Sequence, residues 1–221
     1  MENPPNSNSF FSSLRMEFPY LVNALAEGHG FFHRPEQFHF LGDVIDDSVR
    51  HPAFPPTTFL VVDCDAGIDA YSLGIALLEI RKRHPQHEFS ILGTDFLADN
   101  LPRAIRGVYP QQSIATLPDA LAREYFLRSR SAHKALVRLR PGVRAVVRFR
   151  SQDMFEQFSL REPVDVIFCR HVLHYFAPPL AISLADHLRA FLHPGGLLFL
   201  GREIGKLPGF HLVGPAVYQV R

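Results

Sequence analysis

Hydrophobic and polar positions follow two regimes along the chain. Before about residue 57 the apolar positions keep helical spacing: Phe11, Leu14, Phe18, Leu21 and Leu25 recur at three- and four-residue intervals, with Pro19 as an interruption. Gly28-His29-Gly30 breaks this pattern, and in the following FFHRPEQFHFLGDVIDDSVR Pro35 fits the first turn of a second helix. Beyond the connector HPAFPPTT, short continuous apolar runs take over. FLVVD (59–63), FSILGTD (89–95) and VDVIFC (164–169) have the length of strands buried on both faces. Helical patterns lie between them: AYSLGIALLEIRKRH (70–84), a segment over about 97–106, another over 113–127, and LAISLADHLRAFL (180–192), stopped by His193-Pro194-Gly195-Gly196. LLFLG, GFHLVG and AVYQV supply a further strand and a terminal antiparallel pair. KALVRLRPGVRAVVRFR reads as two β runs around a turn at Pro141-Gly142. The alternation predicts an α/β fold with a mostly parallel sheet. The expected parts are a helical arm over 1–50 and a sheet domain over 57–221, with a basic hairpin appendage at about 123–150.

The chain has 221 residues, 47% of them hydrophobic and 20% charged, which excludes general disorder and fits one domain with a small appendage. No apolar run approaches the roughly 20 residues of a membrane-spanning helix. The start MENPPNSNS has neither the basic nor the apolar part of a secretory signal. Two cysteines make no disulfide framework; Cys64 and Cys169 close apolar strands and read as reduced core residues. A cytoplasmic protein without a membrane partner is expected. The net charge of +1 conceals a polarised distribution. From Arg123 to Arg150 nine Lys/Arg face one acid, Glu124, a local balance of +8 against an acidic remainder. Such a segment is either a solvated strand face that resists edge pairing or a docking surface for an acidic protein partner or substrate. Nucleic acid is not expected, because no aromatic-interleaved or helix-turn-helix signature accompanies the charge.

Ligands of open α/β sheets bind beyond the C-terminal strand ends. Three such ends carry suggestive groups here. Asp65-Ala66-Gly67 follows the first strand, where a small turn lets backbone N–H groups approach a ligand. Asp95 ends the second, placed to accept both hydroxyls of a ribose. Arg170-His171-Val172 and then Tyr175 follow the fourth. With LHPGGLLFL near the end, this order resembles a class I S-adenosylmethionine (SAM) methyltransferase domain, a Rossmann-like fold. AYSLGIAL, TDFLADNLPRAIRGVYP, LAREYFLRSRSAHKALVRLR, VDVIFCRHVLHYF and LHPGGLLFLG together resemble the chemotaxis receptor methyltransferase (CheR) family, from about Asn23 to Arg221.

That resemblance implies SAM as co-substrate and carries over a cofactor shell. The family's Thr-Asn-x-Thr-x-Phe-Phe-Arg-Glu-Pro segment corresponds to Ala26–Pro35, bringing Glu27, His29 and Phe32 to the site, with the family arginine falling at His33 or, by a register shift, Arg34. Its Ser-Thr-Gly-Glu-Glu-Pro-Tyr-Ser loop corresponds to Asp65–Ser72, giving Asp65, Ala66, Gly67 and Asp69. Asp95 and Phe96, Asp153 and Met154 (Asn-Leu in the family), and Arg170, His171 (Asn in the family) and Val172 complete it. His29, His33 and His171 are candidate bases because histidine titrates near neutrality, with Tyr175 as an orienting hydroxyl. Phe31, Phe32 and Tyr175 could face a sulfonium through their rings, although Phe31 and Phe32 also fit as core residues. His29/His33 with His171/His174 imitate a metal cluster, but no carboxylate or thiolate has matching spacing and no metal is expected. The expected function is methyl transfer to a small-molecule or carrier-bound substrate. Chemoreceptor methylation is not expected, since only the last stretch of the family's helical domain has a counterpart. Two alternatives stand beside it: attack on the amino-acid arm of SAM, giving a small cyclic amino acid and methylthioadenosine, and a catalytically silent SAM- or partner-binding module.

Overall fold

Four of the apolar runs, with a strand from the basic segment, form the parallel part of a seven-stranded sheet in the computed structural model, which describes residues 30–50, 56–129, 135–156, 160–173 and 176–221, the side chains of residues 49 and 50 excepted. The helix expected over 10–25, and the candidates Glu27, His29, His174 and Tyr175, lie outside the described residues. In chain order the elements are α1 (Pro35–Arg50), β1 (Thr58–Val62), α2 (Ile68–Arg83), β2 (Ser90–Asp95), α3 (Asn100–Arg106), β3 (Val108–Pro110), a 3-10 turn (Gln111–Ile114), α4 (Asp119–Tyr125), β4 (Phe126–Arg128), β5 (Leu136–Leu139), α5 (Pro141–Ala145), β6 (Val147–Ser151), β7 (Val164–Cys169), α6 (Pro178–Arg189), β8 (Leu192–Leu200), β9 (Phe210–Gly214) and β10 (Val217–Val220).

The main sheet runs β6-β2-β1-β7-β8-β10-β9. Its first five strands are parallel, and β10 pairs antiparallel with both β8 and β9. Strand periodicity divides the core into two layers. Phe59 and Val61 of β1, Phe168 of β7 and Phe199 of β8 face α1, α2 and α5; Leu60, Val62, Ile167 and Leu198 face α6. Phe168 and Phe199 stack at 4.4 Å. The described part of the expected arm is integral to this core. Leu41 and Ile45 of α1 are fully buried. The buried Gln37 donates from Nε2 to the carbonyls of Leu200 and Pro215, both at 2.8 Å.

The basic hairpin is corrected. Pro141 does not turn the chain back but opens α5, where its fixed φ suits the first helical position and its missing N–H costs nothing. On one side of α5, β5 joins a separate antiparallel sheet, β3-β5-β4; on the other, β6 becomes the edge of the main sheet, parallel to β2. The arginines are thereby distributed, with Arg138 on the small sheet, Arg144 on α5, and Arg148 and Arg150 on β6. The helix expected over 113–127 is likewise shorter. Pro118 separates the 3-10 turn from α4, and the extended Phe126 ends α4 and starts β4. His193-Pro194-Gly195-Gly196 lies inside β8, where pairing with β7 shifts from Leu192 to Leu197 across the interruption; α6 has already ended at Arg189. No helix among the described residues is long and apolar enough to cross a membrane.

Candidate active site

The turn after β1 is tightly wound. Asp63, Asp65 and Gly67 all have left-handed backbone, at φ 55°, 44° and 83°. A Cβ on Gly67 would stand 3.0 Å from both Ala104 Cβ and Phe149 Cζ, so glycine is required there on two counts. Gly67 precedes α2 without a side-chain cap, leaving the first N–H groups of that helix without intrahelical partners. Three N–H groups of the turn are already bonded within the protein. Cys64 donates to the Thr94 carbonyl (2.9 Å), Asp65 to Asp95 Oδ2 (2.7 Å) and Gly67 to the Cys64 carbonyl (2.7 Å).

Those bonds define Asp95. Its other oxygen accepts from the Leu97 N–H (2.9 Å) and Asn100 Nδ2 (3.2 Å). Burial raises its carboxyl above the usual range, although the Leu97, Asp65 and Asn100 donors work against this. A carboxylate offers about four acceptor positions, and three are filled, so about one remains for a hydroxyl instead of the two expected.

Asp69, in the first turn of α2, holds the end of β7. Its Oδ2 is 2.9 Å from His171 Nε2 and 3.3 Å from Arg170 Nε. Arg170 is fully buried, lies 5.2 Å over the Phe38 ring and donates from Nη2 to the His33 carbonyl. Burial opposes ionisation of Asp69, but Arg170 and His171 hold its carboxyl well below the usual carboxylate range. Burial also opposes protonation of His171; the Asp69 charge and hydrogen bond outweigh it and lift the imidazole above its ordinary value.

Asp63, Asp65, Asp69 and His171 line one side of a cleft of about 540 Å³, and Arg103, Arg106, Tyr109 and Ser113 line the other. Tyr109 donates to the Ala66 carbonyl at 2.7 Å, tying the small sheet to the β1 turn. The Phe31 N–H bonds the Ser113 carbonyl at 2.8 Å, and a Cβ on the neighbouring Gly30 would lie 2.9 Å from that same oxygen. The segment before α1 therefore closes on the 3-10 turn. The Phe32 N–H donates to Ser72 Oγ on α2 at 3.0 Å.

Of the residues singled out from sequence, Asp65, Ala66, Asp69 and His171 meet in the cleft. Gly67 shapes it, Asp95 braces the turn from beneath and Arg170 backs Asp69. His33 is exposed, close enough to Asp69 to lower its carboxyl, and its carbonyl takes Arg170. Arg34 turns elsewhere, to Glu36 (2.9 Å) and the Gly201 carbonyl. Phe32, Phe96, Asp153, Met154 and Val172 do not reach the cleft lining. Asp153 accepts from the Phe155 N–H (3.0 Å), while Met154 and Val172 are buried in the α6-side core. Phe96 is half-buried after β2. Phe31 packs edge-on against Tyr109 and Phe126, a core residue. Cys64 and Cys169 are free and buried, with burial pushing both thiols up. Among the described residues no three His, Cys, Asp or Glu come together to hold a metal ion. Asp63, Arg103, Arg106, Tyr109 and Ser113 went unremarked as site residues. The available signal for Asp63 was a charged residue ending an apolar run; Tyr109 sat inside the Gly-Val-Tyr-Pro of a segment already singled out.

A sheet of five parallel strands extended by an antiparallel pair, with a cleft at the strand ends, is the class I methyltransferase fold. Residues 28–205 match the family described as CheR methyltransferase, SAM binding domain, and the chain belongs to that family. It is 28% identical over 204 residues to chemotaxis protein methyltransferase 2 of Vibrio cholerae, covering 88% of this chain and 69% of that protein. To chemotaxis protein methyltransferase 2 of Pseudomonas aeruginosa it is 29% identical over 203 residues, covering 90% and 71%. A solved structure of the plantazolicin methyltransferase BpumL has 14% identity, 88% and 55% coverage and a TM-score of 0.41, and adds nothing to the assignment. The chain is thus a SAM-dependent transferase of methyltransferase type. Its residues fit the co-substrate. The cleft volume lies within the roughly 300–1,000 Å³ of small-molecule sites, Gly67 leaves no Cβ at the α2 N-terminus, and carboxyl groups on one wall with arginines on the other suit a ligand that carries both cationic and carboxylate groups. SAM supplies an electrophilic methyl group on that sulfonium.

Proposed function

We propose that the protein transfers a methyl group from SAM to a nucleophile that must shed a proton, a hydroxyl or an amine, on a small-molecule or carrier-bound acceptor. The observation that carries this reading is the 2.9 Å contact between His171 and Asp69 at the cleft wall. A carboxylate acceptor needs no base, whereas a proton-bearing one gains from an imidazole whose basicity is raised by a buried carboxylate. His171 takes the proton, Asp69 orients the ring and balances the imidazolium, and Arg170 fixes Asp69. Arg103 and Arg106 stand at the cleft, and Arg138 lies exposed on the small sheet between Val108 and Leu127. This basic rim favours an acceptor presented by an acidic protein.

Incubating the protein with methyl-labelled SAM and cell extract tests the proposal. The expected result is extract-dependent S-adenosylhomocysteine (SAH), with the label in small molecules or a small acidic carrier. His171→Gln should slow transfer by roughly 10²–10⁴-fold while still binding SAM. Label entering chemoreceptor protein, full activity in His171→Gln, or methylthioadenosine formed without acceptor would each overturn it.

A further inference from the structure

The least compensated group in the cleft is Asp63. Its side chain is nine-tenths buried and lines the cleft, yet it makes no hydrogen bond or ion pair with any described residue. The other three carboxylates nearby differ. Asp69 has Arg170 and His171, Asp95 has three N–H donors, and Asp65 is solvated and 3.6 Å from Arg103. Asp63 is also held in left-handed backbone, a conformation unusual for a residue with a side chain, so its direction is set by the turn.

The groups facing Asp63 come from every adjoining element. Asp65 and Cys64 share its turn, Asp95 approaches from β2, and His171 and Cys169 approach from β7. Asp69 of α2 lies beyond His171, its charge already taken by Arg170. Two of these neighbours are anionic, and the cation among them, His171, is committed to Asp69. Burial, reinforced by Asp95 and Asp65, pushes the Asp63 carboxyl up to about 7. An uncompensated buried charge is costly, and the protein avoids one by keeping the proton.

We infer that Asp63 is the counter-charge for a cationic group of bound SAM, and that seating this group drives the proton off Asp63. The O–H bond of the carboxyl breaks, the proton passes to bulk water, and no bond of the co-substrate changes. The cationic group is either the ammonium, which SAM and SAH share, or the sulfonium, which SAH lacks. The inference rests on the cleft being the SAM site and is independent of the acceptor.

Calorimetric titration of SAM and of SAH into the full chain, in two buffers of different ionisation enthalpy at about pH 6.5 and about pH 8, counts the protons released. The wild type should release about half a proton per SAM near neutrality, and its affinity should rise by up to about tenfold per pH unit below 7 and level off above it until the α-amino group of SAM itself titrates at about pH 8. Asp63→Asn keeps the shape, and asparagine tolerates left-handed backbone. Because His171 can also lose a proton, the quantity that decides is the difference between wild type and variant. Equal release with SAH identifies the ammonium as the partner; release with SAM alone identifies the sulfonium. SAM binding without proton release, or the same release from Asp63→Asn, overturns the inference and leaves the SAM site standing. Failure of the wild type to bind SAM at any pH overturns both.

Discussion

The floor of the cleft and its exposed rim are built from the same residue types under opposite conditions. On the floor, Asp63, Asp69, Asp95 and Arg170 are all at least nine-tenths buried, and each charge is paired, hydrogen-bonded or held neutral. On the rim, the side chains of Arg103 and Asp65 are 54% and 37% exposed and stand 3.6 Å apart, while Arg138 is open to water. Water compensates the rim charges one at a time, so their contributions should be small and additive. The floor charges compensate one another, so changing one should change the meaning of the rest.

The largest test of that contrast is Arg170→Met. It removes the buried guanidinium from Asp69, leaving His171 as its remaining partner, and should cost about 3–5 kcal/mol in urea unfolding. Adding Asp69→Asn should restore most of the loss, whereas additive effects of the two changes would break the comparison. Next is Asp63→Asn without ligand. The folded carboxyl titrates near 7, against an ordinary 3.8, so its contribution is fully present below about pH 4 and is lost as pH rises through 7. At about pH 8 the variant should therefore be more stable than wild type, with a ceiling of about 4 kcal/mol, and near pH 4 the two should match. Unfolding at both pH values checks this. A third effect is kinetic. Asp69 lifts His171, so wild-type methyl transfer should climb with pH about a midpoint above the usual histidine value. Asp69→Asn should move that midpoint downward in the pH–rate profile; an unmoved midpoint would remove His171 as the base. Smallest, Arg103→Ala should leave stability within about 0.5 kcal/mol, read by the same urea titration. A floor-sized loss there would erase the contrast.

The α/β alternation was readable because buried parallel strands leave uninterrupted apolar runs, and the four such runs became strands where expected. Sequence also located three of the cleft's chemical groups: Asp65 and His171 from their places just beyond strand ends, and Asp69 from the family resemblance. It failed where one local pattern serves two structures. Pro141-Gly142 between β runs fits a hairpin as well as it fits a helix start; only the pairing of β5 with β3 and of β6 with β2 decides. Asp63 was absorbed into FLVVD as a strand residue, because neither its left-handed backbone nor its missing partner leaves a trace in one dimension. The Asp69–Arg170–His171 cluster joins residues about a hundred positions apart, a proximity fixed by strand order.

Gln37 has a consequence for how the molecule assembles. Its amide joins α1 to the end of β8 and to the β9–β10 turn, reaching across 163 and 178 positions of chain. A contact of such range forms only after the intervening loops have been closed at entropic cost. Residues 30–32, which enter α1 and close on the 3-10 turn, are thus tied to the last strands through α1 as well as to α2 through the Phe32–Ser72 bond. In hydrogen exchange, α1 and the β9–β10 pair should open as one cooperative unit, and the segment that walls the cleft should open with them.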